Sequence, residues 1–216
     1  MSHFQESIGE HGLHCFGAIS ASMSHELKNV LAIINENAGL LEDLSLMAER
    51  GHPLDPVKLK LLAGNVARQI KRADGIIKNM NHFAHSIDDS VKCINLGEIL
   101  ELTVFLSSRM AAMKNITVIL APPSSVTVYM TTHPFFLINL IWLCFKEFFE
   151  RLETEKQIVV SHMRTPEGIS LVVTPVDSLL TDENTGNLLN FLKATQKVHS
   201  QNRNLILFFP VDISIC

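Results

Sequence analysis

The run CFGAISASMSHELKNVLAIINENAGLL, Cys15 to Leu41, decides how the chain is read. Its apolar residues Phe16, Ile19, Met23, Leu27, Val30, Ile34 and Leu41, continued by Leu44, recur at helical spacing. That period predicts one amphipathic helix over about residues 13–48. Arg50, Gly51, His52 and Pro53 end it, because proline breaks the hydrogen-bond ladder and glycine suits a left-handed helix end. Asp55 then offers an N-cap, with Pro56 in the first helical position. Leu62, Val66, Ile70, Ala73, Ile77, Met80 and Ala84 form a second stripe. Two helices joined by so short a loop lie antiparallel, and neither can shield both stripes. Pairing with a second copy closes a four-helix bundle, so a homodimer is expected; the bland alternative packs the hairpin on the rest of the chain.

Beyond Asp88 and Asp89 the texture changes to short alternating elements. Asn95 and Glu98 begin a helix that ends near Met113, and Ile116 to Leu120 reads as a strand. Pro122 and Pro123 mark a turn, Val126 to Met130 is a strand candidate, and Pro134 opens a helix to about Leu152. Strands are expected at Gln157 to Met163, Ile169 to Thr174 and Leu205 to Val211, with Asp182 and Glu183 in a solvated loop. The fold class is therefore α+β: a helical hairpin over residues 1–90, then an α/β sandwich over residues 91–216 with helices on one face of a mixed sheet.

Composition narrows the function classes. A net charge of -4 supplies no general basic surface, which argues against nucleic acid as a partner. Cys15, Cys93, Cys144 and Cys216 lack metal-ligand spacing and any paired pattern, which argues against a disulfide framework or zinc site and favours a reducing compartment. The longest apolar stretch, Pro134 to Phe145, is well short of the ~20 residues needed to cross a bilayer. No basic segment followed by an apolar core opens the chain, so no secretory leader, membrane association or preceding input domain is expected, and the expected location is the cytoplasm.

On a helical wheel His25 points nearly opposite the stripe of Met23, Leu27, Val30 and Ile34 and faces water. Packing explains such a residue poorly. A neutral imidazole has a lone pair that can attack phosphorus. Glu26 can hold the proton of the other ring nitrogen, and Asn29, one turn on, reaches the same surface to orient a phosphoryl oxygen or a water. The beginning of a zinc-protease signature is also present, but Asn29 stands where the second metal-binding histidine would be needed. His82 and His85 have i, i+3 spacing without a third ligand nearby, and Trp142 with Phe145, Phe148 and Phe149 reads as core.

The segment Ser24, His25, Glu26, Leu27, Lys28, Asn29, between Ile19 and Ile34, resembles the phosphoacceptor box of sensor histidine kinases. The resemblance covers roughly residues 13–86 and implies that His25 is phosphorylated, Glu26 is the general base and Asn29 assists phosphoryl positioning or water attack. The second half resembles the ATP-binding domain of those kinases in element order only. Where the family carries a magnesium-binding asparagine this chain has Leu143, four positions after Asn139, and carbon cannot coordinate magnesium. The nearest counterpart of the glycine-containing adenine turn is Asp177, Ser178, Leu179, Leu180 and Thr181, without glycine, and only Gly186 follows Ile169.

These features together resemble the histidine phosphotransferases of bacterial phosphorelays, which combine a dimeric hairpin with a degenerate ATPase-like domain. The expectation is a phosphotransferase that shuttles a phosphoryl group between His25 and receiver-domain aspartates of response regulators, binding no cofactor itself. Mg2+ would be supplied by the receiver. Three alternatives remain open: an atypical autophosphorylating kinase, a non-catalytic adaptor that binds a response regulator, and a receiver phosphatase centred on Asn29.

Overall fold

A computed structural model describes residues 3–122, 127–152, 156–176, 178–199, 201 and 203–210, with side chains from residue 9 onward. Its elements are α1 (His3–Glu49), α2 (Pro56–His85), β1 (Lys92–Asn95), α3 (Leu96–Met113), β2 (Thr117–Leu120), β3 (Tyr129–Thr132), α4 (Pro134–Arg151), β4 (Gln157–Thr165), β5 (Gly168–Thr174), α5 (Glu183–Phe191), β6 (Thr195–His199) and β7 (Asn204–Pro210). Contacts gather these into two compact units, Ser20–His82 and a second made of Met1–Ile19 with Phe83–Cys216. The units divide within the two long helices, whereas the expected domains were divided near residue 90.

The first unit is the hairpin. Helix α1 ends as its residues require: Gly51 takes φ +88°, and the Gly51 and His52 amides donate to the Ala48 and Met47 carbonyls at 2.9 and 3.1 Å. The Asp55 carboxylate then accepts from the Val57 and Lys58 amides at 2.9 and 3.4 Å, capping α2 at its proline. Met23, Val30, Leu62 and Ile76 are buried in this unit. Between them lies a polar bridge, with the Asn65 amide donating to Asn37 Oδ1 at 3.2 Å and the Asn37 amide donating to the Ile33 carbonyl at 2.7 Å. Hydrogen-bonded amides in an apolar seam favour one register over a slipped one. Part of the second stripe remains in water: Ile70, Ile77 and Met80 are 49, 46 and 37% exposed.

In the second unit, β2, β4, β5, β7 and β6 form one sheet in that order, parallel between β2 and β4 and antiparallel elsewhere; β1 pairs with β3 separately. Ile158 and Val160 of β4, Leu171 and Val173 of β5, and Leu205, Leu207 and Phe209 of β7 are buried at alternate positions. Their neighbours across the strands are half-buried, the pattern of a sheet covered by helices on one face. A Cβ on Gly168 would lie 2.1 Å from the Phe209 carbonyl oxygen, so this hairpin end admits only glycine. Asn95 caps α3 as its spacing with Glu98 predicts, accepting from the Gly97 amide and donating to Glu98, each at 3.0 Å.

Three elements went unpredicted: β1, β6 and α5. Asp182 is the N-cap of α5, accepting from the Asn184 and Thr185 amides at 2.9 and 3.2 Å, so the expected solvated loop at Asp182 and Glu183 is corrected. A nine-residue helix is too short for periodicity to announce it. Pro123 and Val126 of the expected turn and strand, and Val211 of the last strand, lie outside the described residues. Cys15 and Cys144 are free and buried, and burial pushes the Cys15 thiol up to about 12 and the Cys144 thiol up as well. Cys93 is disulfide-bonded, which corrects the expectation that the scattered cysteines form none; separation along the chain does not report separation in space. Among the described residues no helix is long and apolar enough to cross a membrane.

The hairpin caps predict measurable costs. Gly51→Ala and Asp55→Ala should each destabilise the hairpin by about 1 kcal/mol, read as a lower urea midpoint at unchanged slope. Wild-type midpoints for both variants would contradict the capping geometry.

Candidate functional site

The geometry around His25 is set by a long helix that buries one side. Ile19, Met23 and Val30 are at most 1% exposed, whereas His25 and Asn29 on the other side are exposed. At i, i+4 spacing the Asn29 side chain lies over the imidazole, and its amide nitrogen is 3.2 Å from His25 Nδ1. As drawn, the amide donates to the ring; turned by 180° it offers Oδ1 to a proton on Nδ1. Asn29 can therefore accompany either ring tautomer. Among the described residues Nε2 has no hydrogen-bond partner, and the residue as a whole is exposed.

Glu26 is engaged by the second helix. Its Oε2 accepts from Arg72 Nη2 of α2 at 2.5 Å, and no hydrogen bond joins it to His25 among the described residues. The two side chains are 51 and 20% exposed, so the pair is worth roughly 0–1 kcal/mol to stability after screening. The structure thus brings His25 and Asn29 together, and brings Glu26 to a residue that sequence reasoning missed. A signal for Arg72 existed in the hairpin. Chains that reverse at Gly51 bring together positions roughly equidistant from it, as Asn37 and Asn65 are, and Arg72, one turn short of the position equidistant with Glu26, reaches it through the length of its side chain.

The other suggestive residues have structural partners. His85 Nδ1 lies 2.7 Å from Asp88 Oδ2, and among the described residues no group of three potential metal ligands forms. An apolar pocket of about 540 Å³ in the second unit is lined by Gly12, Phe16, Ser86, His133, Phe135 and Phe136. Burial lowers the His133 imidazole below its ordinary value, so it is neutral at physiological pH and offers an anion no charge.

In the sandwich, the residues that the resemblance sets against a nucleotide have the following surroundings. Asn139 is 1% exposed, with neither amide atom hydrogen-bonded, and Leu143 follows it one turn later on α4. Asp177 lies outside the described residues, but the residues after it are tied down. Arg151 Nη1 donates to Ser178 Oγ and to the Leu179 carbonyl, both at 2.9 Å, while Nη2 donates to Thr181 Oγ1 at 2.5 Å and to Glu147. Glu147 also accepts from the Thr181 amide at 2.8 Å. Gln196 clasps the Leu180 amide and carbonyl at 2.9 and 3.0 Å. Gly186 sits inside α5 rather than in a loop. These residues do not fit a magnesium nucleotide: the ligand position is a hydrocarbon, the asparagine is closed off, and the segment expected to bend around adenine is pinned.

No protein-family model matches the chain, and no curated protein matches it either. Solved structures do. The Acinetobacter baumannii histidine kinase AdeS is 11% identical with a TM-score of 0.46, covering 87% of this chain and 98% of its own. The ATP-binding domain of PrrB from Mycobacterium tuberculosis is 9% identical with a TM-score of 0.47, covering 56% of this chain and 98% of its own. The cytoplasmic segment of the histidine kinase QseC is 15% identical with a TM-score of 0.42, covering 66% of this chain and 94% of its own. Similarity at 9–15% identity and TM-scores of 0.42–0.47 to these histidine kinase structures assigns no residue a role.

Proposed function

We propose that this chain is a histidine phosphotransferase of a two-component phosphorelay, acting in the cytoplasm on receiver domains of response regulators without using ATP. The observation that carries the reading is His25 itself: an exposed residue whose Nδ1 is occupied by Asn29 and whose Nε2 has no hydrogen-bond partner among the described residues. With the Asn29 amide turned so that its Oδ1 accepts from a proton on Nδ1, the Nε2 lone pair attacks the phosphorus of an aspartyl phosphate. The N–P bond forms as the P–O bond to aspartate breaks, and the electron pair leaves on the carboxylate. The ring then carries its original proton and a positive charge, partly offset by the phosphoryl group it has gained. That proton stays hydrogen-bonded to Asn29, while Glu26 is engaged by Arg72 of α2. The reverse sequence delivers the group to a second receiver. Mg2+ held by the receiver would neutralise charge on the phosphoryl oxygens, and the sandwich would contribute stability and docking surface.

Support for omitting ATP comes from the hydrocarbon at Leu143, the closed-off Asn139 and the pinned segment Ser178 to Thr181. Support for a homodimer comes from Ile70, Ile77 and Met80, which keep a third or more of their surface in water along one stripe of α2. Completing the burial of two isoleucines is worth about 1–3 kcal/mol, so Ile70→Asp combined with Ile77→Asp should weaken self-association by at least roughly tenfold. Sedimentation equilibrium reads this directly, and an unchanged dimer would show that the hairpin pairs elsewhere or not at all.

The deciding experiment incubates the chain with a panel of phosphorylated receivers and follows acid-labile, base-stable label. His25→Gln should take none, whereas Asn29→Ala should take label at a rate reduced by roughly 10- to 100-fold, the range for losing a positioned proton-handling partner. Label on wild type and on His25→Gln alike would remove the nucleophile from the account. Label appearing from ATP alone would favour the autokinase alternative.

A further inference from the structure

The contact between Glu26 and Arg72 is not explained by stability, since both ends reach solvent, nor by the transfer chemistry as written above. Glu26 follows His25 directly on α1, and its Oε2 is held at 2.5 Å by a guanidinium that arrives from the other helix. A carboxylate left unpaired in this position would set a negative charge against the incoming phosphoryl group, itself dianionic. A guanidinium stays charged at every physiological pH and binds a carboxylate through charge-assisted hydrogen bonds.

We infer that Arg72 is a positioning residue for phosphoryl transfer at His25: by holding and neutralising the Glu26 carboxylate it admits the phosphoryl group. The inference rests on the phosphotransfer reading. It requires no contact between Arg72 and the phosphoryl group, because the effect passes through Glu26. The chemistry is the attack already described, with the N–P bond formed and the P–O bond broken at unchanged balance. Arg72 sets how readily the phosphoryl anion approaches the ring. Helix α2 thereby becomes part of the site, and the register that sets Asn65 against Asn37 also sets Arg72 against Glu26.

The test measures the rate of label transfer from a saturating phosphorylated receiver to the full chain. Arg72→Gln should slow transfer about tenfold, and Arg72→Lys, which keeps the charge, should recover to within about threefold of wild type. In a Glu26→Gln background Arg72→Gln should change the rate by less than about twofold, because the carboxylate it answers is gone. An arginine that acted independently of Glu26 would give equal losses in both backgrounds. Circular dichroism melts follow folding, and Arg72→Lys with the double variant keeps the comparison available should Arg72→Gln loosen the hairpin. A full-rate Arg72→Gln, a Lys variant as slow as Gln, or additive losses with Glu26→Gln would each overturn the inference while leaving the transfer reading intact. A wild-type chain that takes no label would overturn that reading and the inference with it.

Discussion

The apolar stripe of α1 has to leave water, and the site is defined by what this leaves outside. Ile19, Met23 and Val30 fix which way the helix faces, and at 100° per residue His25 has one direction left to it. The exposure of the imidazole is thus a consequence of burial elsewhere. The same rotation carries Asn29 over the ring, since four residues bring the helix back to nearly the same side.

The hairpin gives that surface its second contributor. Reversal at Gly51 and the bridge from Asn65 to Asn37 hold α2 in one register, and Arg72 lies across from Glu26 in it. A slip of one turn along α2 would move a side chain by about 5.4 Å and undo the pair. Polar groups inside the seam therefore matter more for alignment than for stability, where buried amides are costly unless matched.

The sandwich is framed by its five-stranded sheet and the helices that cover it. Its internal polar contacts serve its own loops: Arg151, Glu147 and Gln196 spend their hydrogen bonds on Ser178 to Thr181. A loop held in this way is suited to presenting a fixed surface and poorly suited to closing over a ligand.

Much of this was legible in the residues. The heptad-like stripes, the Gly51 and Pro53 break, the Asp55 and Pro56 start and the Asn95 cap each act within a turn or two of the chain, where local chemistry decides conformation. They determined the two long helices, the outward direction of His25, the proximity of Asn29 and the alternation in β4, β5 and β7. Tertiary structure alone decided that Glu26 meets Arg72, that Asp182 caps a short helix, that Arg151 pins the segment after Ser178 and that Cys93 forms a disulfide. Each of these joins or orders residues whose partners are set by packing, and a sequence shows spacing along the chain but not which distant side chains the fold brings within a hydrogen bond of one another.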